Sequence, residues 1–472
     1  MRKLKKHIGL IIILVILIAF PTSLSNQTKI NMRVIVTGIA VDKSGDEFEV
    51  TAQIVKPSVG SKTAGGGASL DYISDKGKTL SAAVSKMAFK AGKASAFSHT
   101  NFVILGKDML KEDVAESLDY FIRDKIIKNS ALILFSEEKA SDEMKKTKNA
   151  DLSAAMGLQK VFLFKEHESD GLMTTTMEFL NQNRGLSKTA TVSVLSLKTN
   201  EESMQESGGS SGGSSGGSSS SSSSGASSGS GGSGESSGGS ESQSSGGESS
   251  SGSEGGSGGE SQNSGGESQG SGSSGSSGSG GGSGGSSGSS GESKNQYFVA
   301  ESPILMFVDG KFSGKLESHE EISGFMLTNK ESQAIDIMIE SSDEGRLKNA
   351  KVEVNVKNMR SKKKVTFEGD KPCINIKVKI YNAEINEILC DEIVASLDEQ
   401  EYETLKNDLK EEIKKRVSAC FKKAKESKAD IFEAYEKAYR THFKKTQKYK
   451  TMEEFLSDLT LNIEVDVRKL DY

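Results

Sequence analysis

Val34-Ile35-Val36-Thr37-Gly38-Ile39-Ala40-Val41-Asp42-Lys43-Ser44-Gly45-Asp46-Glu47-Phe48-Glu49-Val50-Thr51-Ala52-Gln53-Ile54-Val55-Lys56-Pro57 is the stretch from which the architecture is read outward. Val34, Val36, Gly38 and Ala40 share one parity, Lys43 to Glu47 supply turn chemistry, and Phe48, Val50, Ala52 and Ile54 resume a period of two before Pro57. Alternation on both sides of a Gly-containing turn predicts a β-hairpin with one face toward a core.

Downstream, Tyr72-Ile73 reads as a short extended piece, and Thr79 as the N-cap of a helix carrying Leu80, Ala83, Val84, Met87 and Ala88 on one face. Asn101 to Leu105 is a buried strand ended by Gly106. A helix is expected from about Met109 to Arg123, and Ala131 to Phe135 forms another strand. Between Asp151 and Leu197 the pattern predicts a helix around Leu172 to Leu180 and a strand from Thr191. Strands alternating with helices give a mixed α/β domain over 26–150, and 151–206 begins a middle domain.

From Ser207 to Ser293 the chain is almost entirely Ser and Gly. The tract holds 33 of the 51 Gly and seven Glu, with no Lys or Arg. Such composition cannot bury enough apolar surface to offset its ordering entropy, so a disordered spacer over 207–293 is expected. As a Gly-rich coil it would span about 50 Å r.m.s.. One reading makes it a tether that lets the C-terminal part search space, and the other makes it an insertion tolerated in a surface loop.

Beyond the tract, Phe298 to Val308 and Phe312, with Gly310 between, read as a hairpin that completes the middle domain over 294–345. Val352, Val354 and Val356, then Ile374, Ile376, Val378 and Ile380, alternate as two adjacent antiparallel strands. Tyr402, Leu405, Leu409, Ile413, Val417, Phe421 and Ala424 follow helical spacing, and Ile431, Phe432, Tyr435, Tyr439 and Phe443 mark a second helix. Leu461, Ile463, Val465 and Val467 close the chain as a strand, making 346–472 an α+β domain. The fold class expected is therefore mixed α/β and α+β: several domains with antiparallel and mixed sheets packed by helices, interrupted by the Ser/Gly linker.

Arg2, Lys3, Lys5 and Lys6 precede an apolar run from Ile8 to Phe20 that Pro21 ends. Residues 1–25 thus read as a signal peptide or an uncleaved membrane anchor, and the protein as exported. Outside the tract 60 basic residues face 58 acidic ones, a balance that argues against nucleic acid as a partner.

Catalytic chemistry finds no footing in the pattern. Gly77-Lys78-Thr79 ends like a phosphate-binding loop, but Tyr72 stands where its first Gly belongs. His7, His99, His167, His319 and His442 show no metal-ligand spacing, so no metal and no cofactor are expected. His99 with Asp42 or Asp119 is a weak triad candidate, because a triad is established by geometry. Cys373, Cys390 and Cys420 lie far from the signal segment, leaving no lipidation site there, and read as buried free thiols.

The N-terminal half resembles the Ger(x)C family, the C subunits of nutrient germinant receptors in spore-forming bacteria. The resemblance lies in Thr37 to Lys43, Val50 to Pro57, Tyr72 to Ser74, Gly77 to Leu80, Ser98 to Lys107 and Leu118 to Asp124, in that order. Ala300 to Leu316, ending Asp309-Gly310-Lys311-Phe312-Ser313-Gly314-Lys315-Leu316, is similar to the family's central hairpin, and Lys428-Ala429-Asp430-Ile431-Phe432 to its terminal region. The lipobox Cys usual in the family is absent, Ser25-Asn26-Gln27-Thr28 standing there, and the tract lies outside the likeness. The resemblance implies a non-enzymatic three-domain subunit on the extracytoplasmic face of the spore inner membrane. It implies integral-membrane A and B subunits as partners, with attachment through residues 8–24 or through those subunits. Gly38, Asp42, Gly77, Thr79, His99 and Arg123 match the family and are expected to be fold determinants rather than ligand contacts. The rival reading is an exported, tethered ligand-binding or surface-adhesion protein unrelated to germination.

Overall fold

The hairpin read from the sequence forms the middle of a six-stranded mixed sheet. In the computed structural model, strands β1 (Arg33–Ser44), β2 (Glu47–Lys56) and β3 (Ser69–Gly77) are antiparallel neighbours. Strands β5 (Phe102–Leu105) and β6 (Leu132–Phe135) continue the sheet in parallel, and the short β4 (Ala94–Ala96) pairs with the start of β1. The residues described are 33–56, 69–91, 94–123, 126–149, 157–199, 297–300, 302–329, 333–390 and 394–472; the signal segment and the Ser/Gly tract lie outside them.

The expected parity of β1 breaks at a bulge between Val36 and Gly38. Val36, Ile39 and Val41 consequently share one core, while Ala40 faces another. One extra residue turns every later side chain over. Both faces of β1 are covered, so the strand is a continuous buried run rather than half-polar.

The expected helix from Met109 splits. Lys107–Lys111 is a 3₁₀ turn, and helix α2 is Val114–Arg123, following helix α1 (Leu80–Ala91) in chain order. Asp113 resets the start of α2 by accepting from the Glu116 N–H at 3.0 Å. Two further helices, α3 (Ala140–Asn149) and α4 (Gly157–His167), were not legible from periodicity. Helix α5 is Thr176–Arg184, with a Thr175/Glu178 capping box that leaves Leu172 outside it.

Strand β7 (Thr189–Ser193) pairs antiparallel with β10 (Ile304–Val308), which pairs with β11 (Lys311–Leu316). A single small sheet is thus made from both sides of the Ser/Gly tract. Its strand β10 is buried on both faces: Leu305 and Phe307 join the core beneath the first sheet, and Ile304 and Met306 join the core of the C-terminal part. Phe307 stacks on Phe135 at 5.1 Å and meets Phe179 edge-on at 5.5 Å. Asp309 and Gly310, both at positive φ, make the β10–β11 turn.

Phe298 does not belong to that hairpin. It lies in β9 (Tyr297–Val299), which pairs with β8 (Leu197–Thr199), Thr199 opposite Tyr297. Residues 200–296, 97 in number, therefore begin and end on facing residues of one strand pair. The segment is thus an insertion between two paired strands, and the parts on its two sides share the β7–β10 pairing as well.

The C-terminal sheet has the order β12 (Ala334–Glu340), β13 (Lys351–Glu368), β14 (Lys371–Leu389), β15 (Thr460–Val467), with β16 (Leu470–Asp471) also on β14. β13 and β14 are antiparallel neighbours, as the alternation requires. The register is offset, however: Val352 to Val356 face Ile388 to Ala383, whereas Ile374 to Ile380 face Val365 to Met359. Helix α6 (His319–Met326) and the long helix α7 (Glu399–Glu426) cover one face. An Asp398/Glu401 capping box starts α7, and Leu405, Leu409, Ile413 and Val417 bury its apolar stripe. The expected second helix is shorter, α8 (Ala434–Thr441), followed by α9 (Phe443–Thr446) and α10 (Met452–Asp458). Ile431 and Phe432 precede it in a buried turn.

Candidate functional site

The residues singled out from the sequence do not converge. Gly38 lies where an added Cβ would sit 2.2 Å from the Phe102 ring, so the close approach of β1 and β5 excludes a side chain. Gly77 is held similarly, 2.5 Å from the Ala83 backbone nitrogen at the start of α1. Thr79 accepts from the Ala82 N–H at 3.1 Å, the N-cap expected of it. Arg123 ends α2 and pairs with Asp119 at 3.5 Å.

Asp42 does more than end a strand. Its two oxygens accept from the Ala140 N–H at 2.7 Å and the Ser141 N–H at 3.0 Å, capping α3 from a residue almost a hundred positions earlier. Burial pushes its carboxyl above the ordinary range, against the pull of those two amides and of Lys139. Asp119 is committed to Arg184 at 2.6 Å as well as to Arg123. His99 is exposed in a 3₁₀ turn, Phe97–His99, and neither carboxylate hydrogen-bonds to it, so the triad candidate is not assembled.

A carboxylate outside the family-matching set carries the most concentrated polar arrangement. Asp430 is 3% exposed and accepts from Ser187 Oγ at 2.6 Å, the Ala434 N–H at 2.7 Å and the Tyr435 N–H at 2.8 Å. Its own N–H donates to Thr189 Oγ1 at 3.1 Å, and that hydroxyl donates to the Ser187 carbonyl at 2.8 Å. One side chain thus caps α8 and ties the C-terminal part to the strand that precedes the tract. Burial raises its carboxyl above the ordinary range against three hydrogen bonds that lower it. Beside it, Ser313 Oγ donates to the Ser427 carbonyl, and a Cβ at Gly314 would lie 2.2 Å from Ser427 Oγ. Leu172, Gln182, Thr191, Asn329 and Lys363 line the 150 Å³ cavity that opens at this junction. The available signal was an Asp set directly before the apolar pair Ile431-Phe432 and four residues ahead of a helix start.

A second, more open groove of 270 Å³ lies between the starts of α1 and α2, with Phe48 and Tyr120 as walls and Glu112, Asp113 and Glu116 on its rim. Glu112 is paired with Lys43 at 3.0 Å, and the Lys43 ammonium lies 4.0 Å from the Phe48 ring centre. Ser117 Oγ donates to the Asp113 carbonyl, so this hydroxyl is already engaged. Among the described residues no His, Cys, Asp and Glu gather as a metal-holding group, and no helix is long and apolar enough to cross a membrane.

These features define a mixed α/β protein of several sheets packed by helices, in which buried carboxylates cap helices and lock one sheet to the next. The chain belongs to the GerAC-type spore germination family: the family's spore germination protein N-terminal domain matches residues 26–197, and its B3/GerAC-like C-terminal domain matches residues 303–469. The break between the two matches encloses the segment carried by β8 and β9. The chain is similar to the spore germination protein YfkR of Bacillus subtilis (strain 168), 30% identical over 145 residues. That likeness covers 29% of this chain and 38% of YfkR. A crystal structure of the GerBC protein is similar with a TM-score of 0.45 at 14% identity, over 92% of this chain and 96% of that one.

Proposed function

We propose that this protein is the C-type subunit of a nutrient germinant receptor and acts in spore germination without catalysing a reaction itself. The observation that carries the reading is the ordered match of both family domains, on either side of the tract, to a chain whose two halves share one small sheet. In this reading the protein lies on the extracytoplasmic face of the spore inner membrane with integral-membrane A and B subunits, held by residues 8–24 or by those subunits. Gly38, Asp42, Gly77 and Thr79 act as fold determinants, which agrees with their close approaches and caps. His99 and Arg123 are assigned to the same class. The boundaries 26–150, 151–206 with 294–345, and 346–472 serve as the working division into domains.

The test is dipicolinate release from spores of a deletion strain, with a panel of nutrients and one nutrient-independent trigger. Loss of response to particular nutrients, restored by complementation while the independent trigger still works, is expected. Unchanged germination across the panel, with related receptors also deleted and the protein present in wild-type spores, would refute the proposal.

A further inference from the structure

The face of the C-terminal sheet opposite its helices is not uniform. Near the β12 end its charges are of mixed sign: Lys357 pairs with Glu384 at 2.5 Å, Asn355 donates to Asp336 at 2.6 Å, and Glu353 lies opposite Glu387. Toward the β13–β14 turn the pattern changes. Arg360, Lys362 and Lys364 alternate along β13 and are exposed, while Met359, Val365 and the aliphatic part of the hairpin point to the core. On β14, Lys379 lies directly opposite Arg360, and Lys377 directly opposite Lys362. Two like-charged cross-strand pairs are destabilising in isolation, and sheet surfaces ordinarily avoid them. The next strand contributes Glu464 beside Lys377 and Asp466 beside Lys379, leaving five cations against two anions on this end of the face. Lys377 is paired with Glu464, but Arg360, Lys362, Lys364 and Lys379 have no ion-pair partner among the described residues.

The spacing of a sheet sets these cations in rows on one side of it. Neighbouring strands lie about 4.8 Å apart and alternate residues about 6.8 Å apart along each strand, so the cations form a grid. A cationic grid complements a surface of many fixed negative charges, and Tyr381, the exposed aromatic next to Lys379 on β14, carries the Arg468 guanidinium 4.9 Å over its ring rather than an open face for a stacked base. We propose that this end of the sheet, carrying Arg360, Lys362, Lys364, Lys377 and Lys379, docks on the anionic lipid headgroups of a membrane. The choice of a membrane as occupant rests on the location given under Proposed function, and the face supplies an orienting contact distinct from any anchor at residues 8–24.

The test compares binding of the full-length chain to neutral phosphatidylcholine vesicles and to vesicles containing phosphatidylglycerol, at low and high salt. Arg2, Lys3, Lys5 and Lys6 also favour anionic lipid, so the face is isolated by the difference in anionic preference between wild type and a variant that keeps the same N-terminus. The triple variant R360T/K362T/K364T places β-favouring residues on an open strand and relieves like-charge repulsion, so it is expected to fold, which circular dichroism checks. It should lose about 100-fold of the anionic preference, from about fivefold per removed cation, and the remaining preference should fade with salt. The control K406Q/K410Q/K414Q, equal in charge loss but on α7, where the three lysines are half-buried and Lys406 and Lys414 pair with Glu403 and Glu411, should keep the wild-type preference. Equal losses in both triples, or no loss in the first, overturn the proposal. So does binding of polyglutamate or nucleic acid that outcompetes anionic vesicles for the face. A germination defect in the deletion strain alongside unchanged vesicle binding by R360T/K362T/K364T would sink the docking face and leave the receptor assignment standing.

Discussion

Replacing Asp430 tests whether the junction described above is a structural lock. In D430A three donors lose their acceptor at once: the Ser187 hydroxyl and the Ala434 and Tyr435 amides. Each buried donor left unsatisfied costs about 1–1.5 kcal/mol, about 4 kcal/mol together. Removing the carboxylate also removes the desolvation that pushes its pKa up, which offsets part of that cost. The expected net loss is about 3 kcal/mol, with about 1 kcal/mol for S187A, which deletes one donor and leaves the α8 cap intact. Urea unfolding followed by far-ultraviolet circular dichroism suits a chain with no Trp. D430A within 0.5 kcal/mol of wild type, or strict additivity of D430A and S187A in the double variant, would refute the reasoning. The pH dependence has a definite sign. Because the folded-state pKa is raised, Asp430 favours the folded state most below the ordinary Asp range, and that contribution is lost as pH rises through the raised folded value. The advantage of wild type over D430N should therefore be greatest in acid and shrink on the way to neutrality.

Alanine at Gly38 should cost about 1–3 kcal/mol by driving a methyl into the Phe102 ring, and F102L in the same chain should return part of the loss; simple additivity would contradict the close approach. Arg346 grips Glu401 through two bonds of 2.5 and 2.7 Å, and its hydrogen bonds hold that carboxyl below its ordinary range. R346M should cost about 0.5–1 kcal/mol at neutral pH, and the difference should shrink as pH falls through the folded pKa of Glu401, leaving the share of the Arg346 bond to the Ser396 carbonyl; a wholly pH-independent loss would refute the role of the ion pair. Replacing residues 200–296 by a four-residue turn should stabilise the chain by about 3 kcal/mol in urea, because the shorter loop closes at less entropic cost. Destabilisation would mean that the segment contributes contacts to the folded body.

Local patterns gave the elements, and long-range partners gave what they missed. The hairpin at Val34 to Ile54, the Thr79 cap and the stripe of α7 follow from period and capping chemistry alone. The bulge at Thr37 does not, since nothing local distinguishes that Thr from its neighbours, and the strand's parity turns on it. The start of α2 was misplaced because Asp113 competes as a cap with Met109 and Leu110, whose spacing fits the same helix. The capping by Asp42 and the bond of Asp430 to Ser187 are invisible in sequence for a different reason. Their partners lie 98 and 243 residues away, so an acidic residue that caps a distant helix or bonds a distant hydroxyl reads the same as one facing solvent. A middle domain on both sides of the Ser/Gly tract was expected, but its strand partners were hidden, because composition reports what a segment cannot bury and says nothing of where its ends are fastened.

The fastening of those ends turns the β8–β9 tip into an entry port. Thr199 and Tyr297 face each other in an antiparallel pair, about 5 Å apart. A chain that already carries 97 residues between two such posts has a position where another folded unit with adjacent termini, such as a fluorescent reporter, can replace the native segment without cutting either core. The protein can then be followed in living spores with both of its own termini untouched.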